Sequence, residues 1–192
     1  MRLNTGSGNF PLRGWYNIDK YYYPGSPEPL TDQREVDKWK DEEGSKWMYG
    51  DAVKLGFESD IFDEVMMVHV LEHLDMAQGS RAIMEAHRVL KPGGTLEIEL
   101  PDLLVACELM PTVHVTPTGD NQPWHRVMGL LYGGDDGEGQ YHMCGYTKEY
   151  LRFKLEERGF RDIEEVPVGF GHGNSEGGHP EPQYDFRYRC VK

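Results

Sequence analysis

Cysteine is scarce: Cys107, Cys144 and Cys190 are three among 192 residues, odd in number and widely spaced. That pattern gives neither a disulfide framework nor a zinc site, and it suits thiols kept reduced in the cytoplasm. Long apolar runs are lacking as well, and none approaches the roughly 20 residues a membrane helix needs. The opening Met1-Arg2-Leu3-Asn4-Thr5-Gly6-Ser7-Gly8 has no apolar signal-peptide core, so a cytoplasmic protein without a membrane partner is expected. Cations are few: 20 Lys+Arg stand against 33 Asp+Glu, a formal net charge of −13. Nucleic-acid binding rests on neutralising phosphates, so this balance argues against it and for a self-repelling surface. No internal repeat is present. A single domain over residues 1–192, with its own core, is expected.

What is present is strand–helix alternation. Short strands are expected at 2–4, 15–19 and 46–49, with a Pro- and charge-rich loop plus short helix over 20–46. Val65-Met66-Met67-Val68 is compact and apolar, as in a strand buried on both faces of a parallel sheet. A helix over about 75–90 has Asp75 as N-cap and Ile83, Ala86 and Leu90 at helical spacing, with Pro92 and Gly93 ending it. A strand Thr95–Leu100 follows, then a helix at about 102–110 capped by Asp102. Residues 111–146 read as a loop-rich insertion with a helix near Trp124–Tyr132. Thr147 caps a helix carrying Leu151 and Leu155 that stops at Gly159. Strands at about 162–168 and 185–191 close the chain, joined without a helix. The alternation implies βαβ units and a mostly parallel sheet.

Several residue patterns carry chemistry. Gly6-Ser7-Gly8 after the first strand allows a ligand close to the backbone, and Asp19 at the end of the second could hold two hydroxyls. Taken alone, they read equally as a turn and a solvated carboxylate. Gly50-Asp51-Ala52 follows the third strand, where Asp51 is either a ligand acceptor or a turn residue. His69-Val70-Leu71-Glu72-His73 has the spacing of the inverted zinc-protease motif, which needs both histidines on one helical face. His69 instead follows a buried-strand run, at a strand's carboxyl end, where ligand crevices of open α/β sheets lie. Within the insertion, Trp124, Arg126, His142 and Tyr146 gather aromatic and basic groups suited to a binding loop. The simpler reading of that segment is a surface insertion.

The order of these motifs resembles that of class I S-adenosylmethionine (SAM) dependent methyltransferases of the small type 11-like subgroup. The resemblance rests on Leu3-Asn4-Thr5-Gly6-Ser7-Gly8, Gly14-Trp15-Tyr16-Asn17-Ile18-Asp19, Gly50-Asp51-Ala52, His69–His73 and Lys91-Pro92-Gly93-Gly94. Ser7 stands where the subgroup usually has Cys, and no helix precedes the first strand. The segment around Tyr21-Tyr22-Tyr23-Pro24 or the insertion at 111–146 is therefore expected to cover the site.

The resemblance implies an α/β, Rossmann-like sheet of seven strands, mostly parallel with an antiparallel last strand, and helices on both faces. It implies a SAM-dependent methyltransferase that leaves S-adenosylhomocysteine (SAH). Gly6, Ser7, Gly8, Asp19, Asp51, Ala52 and His69 are the cofactor candidates. His69 and His142 are candidate bases, and Trp124, Arg126 and Tyr146 candidate acceptor contacts, with no metal. The acceptor is expected to be a small molecule or glycan bearing a nucleophilic O, N or C. A non-catalytic scaffold of the same fold and a zinc hydrolase using His69, Glu72 and His73 remain open alternatives. A nicotinamide enzyme is weaker, because the Gly turn lacks the full dinucleotide fingerprint and has Pro at position 11.

Overall fold

A computed structural model of the chain describes residues 1–8, 11–21, 46–112, 122–134, 139–169 and 184–192. The strands are β1 (Arg2–Thr5), β2 (Tyr16–Asp19), β3 (Lys46–Tyr49), β4 (Phe62–Val68), β5 (Leu90–Pro101), β6 (Arg161–Val166) and β7 (Asp185–Val191). They form one seven-stranded sheet in the order β3-β2-β1-β4-β5-β7-β6. All pairings from β3 to β5 are parallel, while β7 lies antiparallel between β5 and β6. The helices are α1 (Met76–Val89), α2 (Leu103–Leu109), α3 (Gln122–Tyr132) and α4 (Lys148–Glu157). The expected mixed sheet with its antiparallel last strand is what the molecule adopts. None of the described helices is long and apolar enough to cross a membrane.

Local sequence explains most element boundaries. Asp75 caps α1 in a full capping box with Gln78: its carboxylate accepts the Gln78 N–H at 2.8 Å, and the Gln78 amide accepts the Asp75 N–H at 3.1 Å. This satisfies two polar groups at the helix start. Asp102 and Thr147 cap α2 and α4 with one side-chain acceptor each, taking the N–H of Leu104 and of Tyr150. The apolar stripe Ala82, Ile83, Ala86 and Val89 of α1 and Leu151 and Leu155 of α4 join the main core. Each buried Leu or Ile there contributes about 1.5–3 kcal/mol of transfer free energy.

One boundary departs from expectation. The strand expected at Thr95–Leu100 begins at Leu90, directly after α1. Lys91 precedes Pro92 and so disfavours helical backbone; the chain has already turned extended at Leu90, with ψ of 139°. Leu90 pairs with Phe62, and regular pairing resumes at Glu64 with Thr95. The intervening Lys91–Gly94 bulges from the ladder and is tied to the C-terminal strand, since Lys192 N–H donates to the Gly94 carbonyl at 3.0 Å. The segment expected to be loop plus short helix, 20–46, lies outside the described residues between 22 and 45.

Alternation along β5 has a second consequence. Leu96, Ile98 and Leu100 face the core, and Glu97 and Glu99 point to the opposite side. That side is buried too, because β7 places Arg189 opposite Glu97 and Arg187 opposite Glu99. Arg187 bonds Glu97 directly and stands 3.8 Å from Glu99, while Arg189 stands 3.7 Å from Glu97.

Candidate active site

The carboxyl ends of β1, β2 and β4 bring three of the sequence motifs to one edge of the sheet. The chain leaves β1 through Gly6 and Gly8, with φ of +62° and +48°, conformations that side chains with a Cβ rarely adopt. A Cβ on Gly6 would stand 2.5 Å from Val70 Cγ2, so glycine there lets the turn after β4 close against the turn after β1. Among the described residues nothing lies within 4 Å of a Cβ placed on Gly8, so they leave the space beside it open. The loop is held by its neighbour strand: Ser7 N–H donates to the Ile18 carbonyl at 3.0 Å, and Gly8 N–H to Asp19 Oδ2 at 2.8 Å. Asp19 is buried, and its Oδ1 accepts the Tyr21 N–H at 2.7 Å. The buried Ser7 hydroxyl has no hydrogen-bond partner among the described residues.

Asp51 sits one strand further along the same edge. Its Oδ1 accepts the Val53 N–H at 3.0 Å, and its Oδ2 pairs with Lys20 at 2.9 Å. The turn reading of Asp51 is therefore part of its role. Ala52 is half-buried against the main core. Tyr21 packs against the insertion, where a Cβ on Gly139 would meet its ring at 2.7 Å.

His69 closes β4 with φ of +52°, a strained conformation for a residue bearing a Cβ. Its Nδ1 lies 3.0 Å from Glu72 Oε1, and its Nε2 lies 3.8 Å from Asp185 Oδ2. Burial would lower the His69 pKa; the Glu72 hydrogen bond and the charges of Glu72, Asp185 and Glu99 outweigh it and raise it above 6.5. Glu72 is the reciprocal case. Burial pushes its carboxyl up, and the hydrogen bond and charge of His69, with that of His73, bring it below the usual value.

The geometry disfavours the zinc-hydrolase alternative. Leu71–His73 form only a single 3-10 turn, so His69 and His73 do not share a helical face. His69 gathers with Glu99 and Asp185, and His73 with Glu72 and His142, in two separate clusters. His73 Nδ1 faces the Tyr141 carbonyl at 3.2 Å, His142 Nδ1 faces the Leu130 carbonyl at 3.0 Å, and the two rings meet edge-on.

The insertion meets this turn through Glu72, whose carbonyl accepts N–H groups from Met143 at 2.7 Å and Cys144 at 3.1 Å. Trp124 is exposed at the start of α3, which also carries Arg126. Tyr146 belongs to the main core. Its hydroxyl lies where a Cβ on Gly79 of α1 would meet it at 2.4 Å, and burial drives its pKa far above 10. Packing is thus its evident role.

A cavity of about 440 Å³ opens at the β5-β7-β6 half of the same sheet edge, lined by Asp102, Val105, Lys148, Glu165, Val168 and Asp185 among others. Asp185 and Glu99 were not singled out in the sequence. The available signal was Glu97-Ile98-Glu99 facing Arg187-Tyr188-Arg189, a charge complement that only the strand register makes visible.

Residues 16–98, under half of the chain, match a family model described as a methyltransferase domain. Over 54 residues the chain is 44% identical to the mitochondrial 2-methoxy-6-polyprenyl-1,4-benzoquinol methylase of Rattus norvegicus, a match spanning 27% of this chain and 15% of that protein. Among solved structures, a SAM-dependent methyltransferase of Thermotoga maritima, described as a possible histamine N-methyltransferase, aligns with a TM-score of 0.58 at 16% identity, covering 100% of this chain and 81% of that one. A SAM-dependent methyltransferase of Methanosarcina mazei aligns with 0.58 at 18% identity, covering 99% and 89%. Phosphoethanolamine N-methyltransferase 2 of Haemonchus contortus, in complex with SAM, gives 0.52 at 20% identity, covering 86% of this chain and 34% of that one. The resemblance read from the motifs thus returns twice, as a family match over 16–98 and as a shared fold.

Proposed function

We propose, from the premise of a class I methyltransferase fold with a methyltransferase-domain match over residues 16–98, that this chain binds SAM and transfers its methyl group to a small-molecule or glycan acceptor. The observation that carries the reading is the Gly6–Gly8 turn locked to Asp19, with Gly8 N–H on Asp19 Oδ2 at 2.8 Å and open space beside Gly8. A positive-φ turn and a buried carboxylate on adjacent parallel strands fit the methionine and ribose parts of SAM. Bound SAM would supply a methyl group on a sulfonium, whose transfer breaks a carbon–sulfur bond and leaves the neutral thioether SAH.

The chain's own residues do the rest. Gly6, Ser7 and Gly8 present backbone to the ligand, and Asp19 takes the ribose hydroxyls. Asp51 and Ala52 would hold the adenine part of the cofactor. His69 stands beside the cavity over β5, β7 and β6, 3.8 Å from its lining residue Asp185, and would take the acceptor's proton. Glu72 orients its ring and stabilises the imidazolium that forms. His142, Trp124 and Arg126 belong to the insertion that covers the acceptor and excludes water. Most of the rate then comes from holding the reactants in line. Three free cysteines fit a reducing, cytoplasmic setting.

Calorimetric titration of metal-free protein with SAM and SAH tests the reading. Micromolar binding of both is expected, and no binding of either overturns it.

A further inference from the structure

We infer that the cavity over β5, β7 and β6 selects an acceptor bearing a protonated amine, an amino sugar included. This deepens the methyltransferase reading and rests on it for the transfer step.

The cavity wall is anionic. Asp102, Glu165 and Asp185 line it against the cation Lys148. Lys148 is bonded to Glu165 at 2.6 Å and also interacts with the charge of Asp102, which leaves Asp185, among the described lining residues, as the carboxylate with no cation of the wall paired to it. Asp102 spends Oδ1 on the Leu104 N–H, capping α2. Asp185 differs: its side chain is 6% exposed, and its Oδ1 accepts no hydrogen bond among the described residues.

Behind the wall the carboxylates of Glu97 and Glu99 are paired with Arg187 and Arg189. Glu99 is fully buried and accepts the Gly169 N–H at 3.0 Å. The guanidinium of Arg187 is directed to Glu97 and Glu99. Among the described residues, His69 Nε2, 3.8 Å from Asp185 Oδ2, is the group that pairs with that carboxylate in its imidazolium form.

A buried carboxylate without a donor is costly unless a partner arrives. A neutral hydroxyl would supply a hydrogen bond and leave the charge. An ammonium group supplies both, and an anionic acceptor is repelled. The overall net charge of −13 draws cations towards such a cleft.

The chemistry then closes on groups already in place. The ammonium N–H bond breaks, and its proton passes by way of Asp185 to neutral His69. The freed nitrogen lone pair forms the N–CH₃ bond as the C–S bond breaks, its electron pair going to sulfur. A methylated ammonium and SAH leave, and His69 returns its proton to solvent.

The test uses matched probes on the full chain, with and without SAH: 1,4-diaminobutane against 1,4-butanediol, and tyramine against its alcohol analogue, by ligand-observed NMR titration. The amines are expected to bind about tenfold or more tighter than the alcohols, as for a charge-assisted contact. Asp185→Asn, nearly isosteric, should erase that preference and leave SAH affinity within about twofold. Lys148→Gln frees Glu165 and should strengthen amine binding, an opposite sign that a folding defect would not give. Equal binding of amines and alcohols, or a preference untouched by both substitutions, overturns the inference even where SAH binds. An Asp185-dependent amine preference without SAH affinity keeps the cation pocket and sinks the methyltransferase reading.

Discussion

Replacing Asp19 with alanine separates its proposed cofactor contact from its hold on the turn. The carboxylate is buried and already accepts two backbone N–H groups, from Gly8 at 2.8 Å and Tyr21 at 2.7 Å. Losing hydrogen bonds to a charged group costs about 1.5–3 kcal/mol, so SAH affinity should fall about 10- to 150-fold. The substitution also strands the two N–H groups. Both are partly solvated, so each costs near the lower end, about 1 kcal/mol. For a chain of this size about 2 kcal/mol lowers Tm by about 4–8 °C. Calorimetric titration with SAH reads the first quantity and scanning calorimetry the second. Asp19→Ala protein that is folded and binds SAH within twofold of the parent would refute the ribose assignment. A large affinity loss without any Tm change would refute the claim that Asp19 also holds the turn.

Raising the pH through the His69 transition should switch transfer on. The pKa of His69 lies above 6.5 through Glu72, Asp185 and Glu99 despite its burial, with Arg187 the cation behind them. The stability its imidazolium gains from these carboxylates is full below pH 6.5 and is lost as the pH rises through the raised pKa. The base form appears over the same interval, so the acid limb of the rate profile should have its midpoint above 6.5, and Glu72→Gln should move it down. An upward or absent displacement contradicts the pairing. Gly6→Ala should lose at least about 1–2 kcal/mol in denaturant unfolding from its left-handed backbone alone, and part of any excess should return with Val70→Ala, which relieves the 2.5 Å clash. Leu151→Ala, fully buried in α4, should cost about 2–5 kcal/mol without changing SAH affinity per folded molecule. An unchanged unfolding midpoint would contradict its place in the core.

What could be read from the sequence was set by how local its cause is. Asp75, Asp102 and Thr147 were readable as caps because a cap needs only its own helix start. Val65–Val68 was readable as a doubly buried strand because both of its faces are apolar. The length of β5 was not, since its first residue pairs with Phe62 across a bulge that no residue in 90–94 announces. Nor was the burial of Glu97 and Glu99, which depends on a strand some ninety residues away supplying Arg187 and Arg189 in register. Tyr146 shows the same limit from the other side. Among Trp124, Arg126 and His142 it looked like one more polar aromatic of a binding loop, and long-range packing against α1 put it in the core.

Glu72 fastens two things with two different parts of itself. Its main chain holds Met143 and Cys144, and its side chain holds His69. The described part of the insertion and the proposed base His69 therefore hang from one peg. Pulling residues 143 and 144 away would drag on the Glu72 backbone, and the imidazole ring would follow. Remodelling the insertion is thus constrained at the Met143–Cys144 junction. Changes there would be felt first as altered turnover, not as altered affinity.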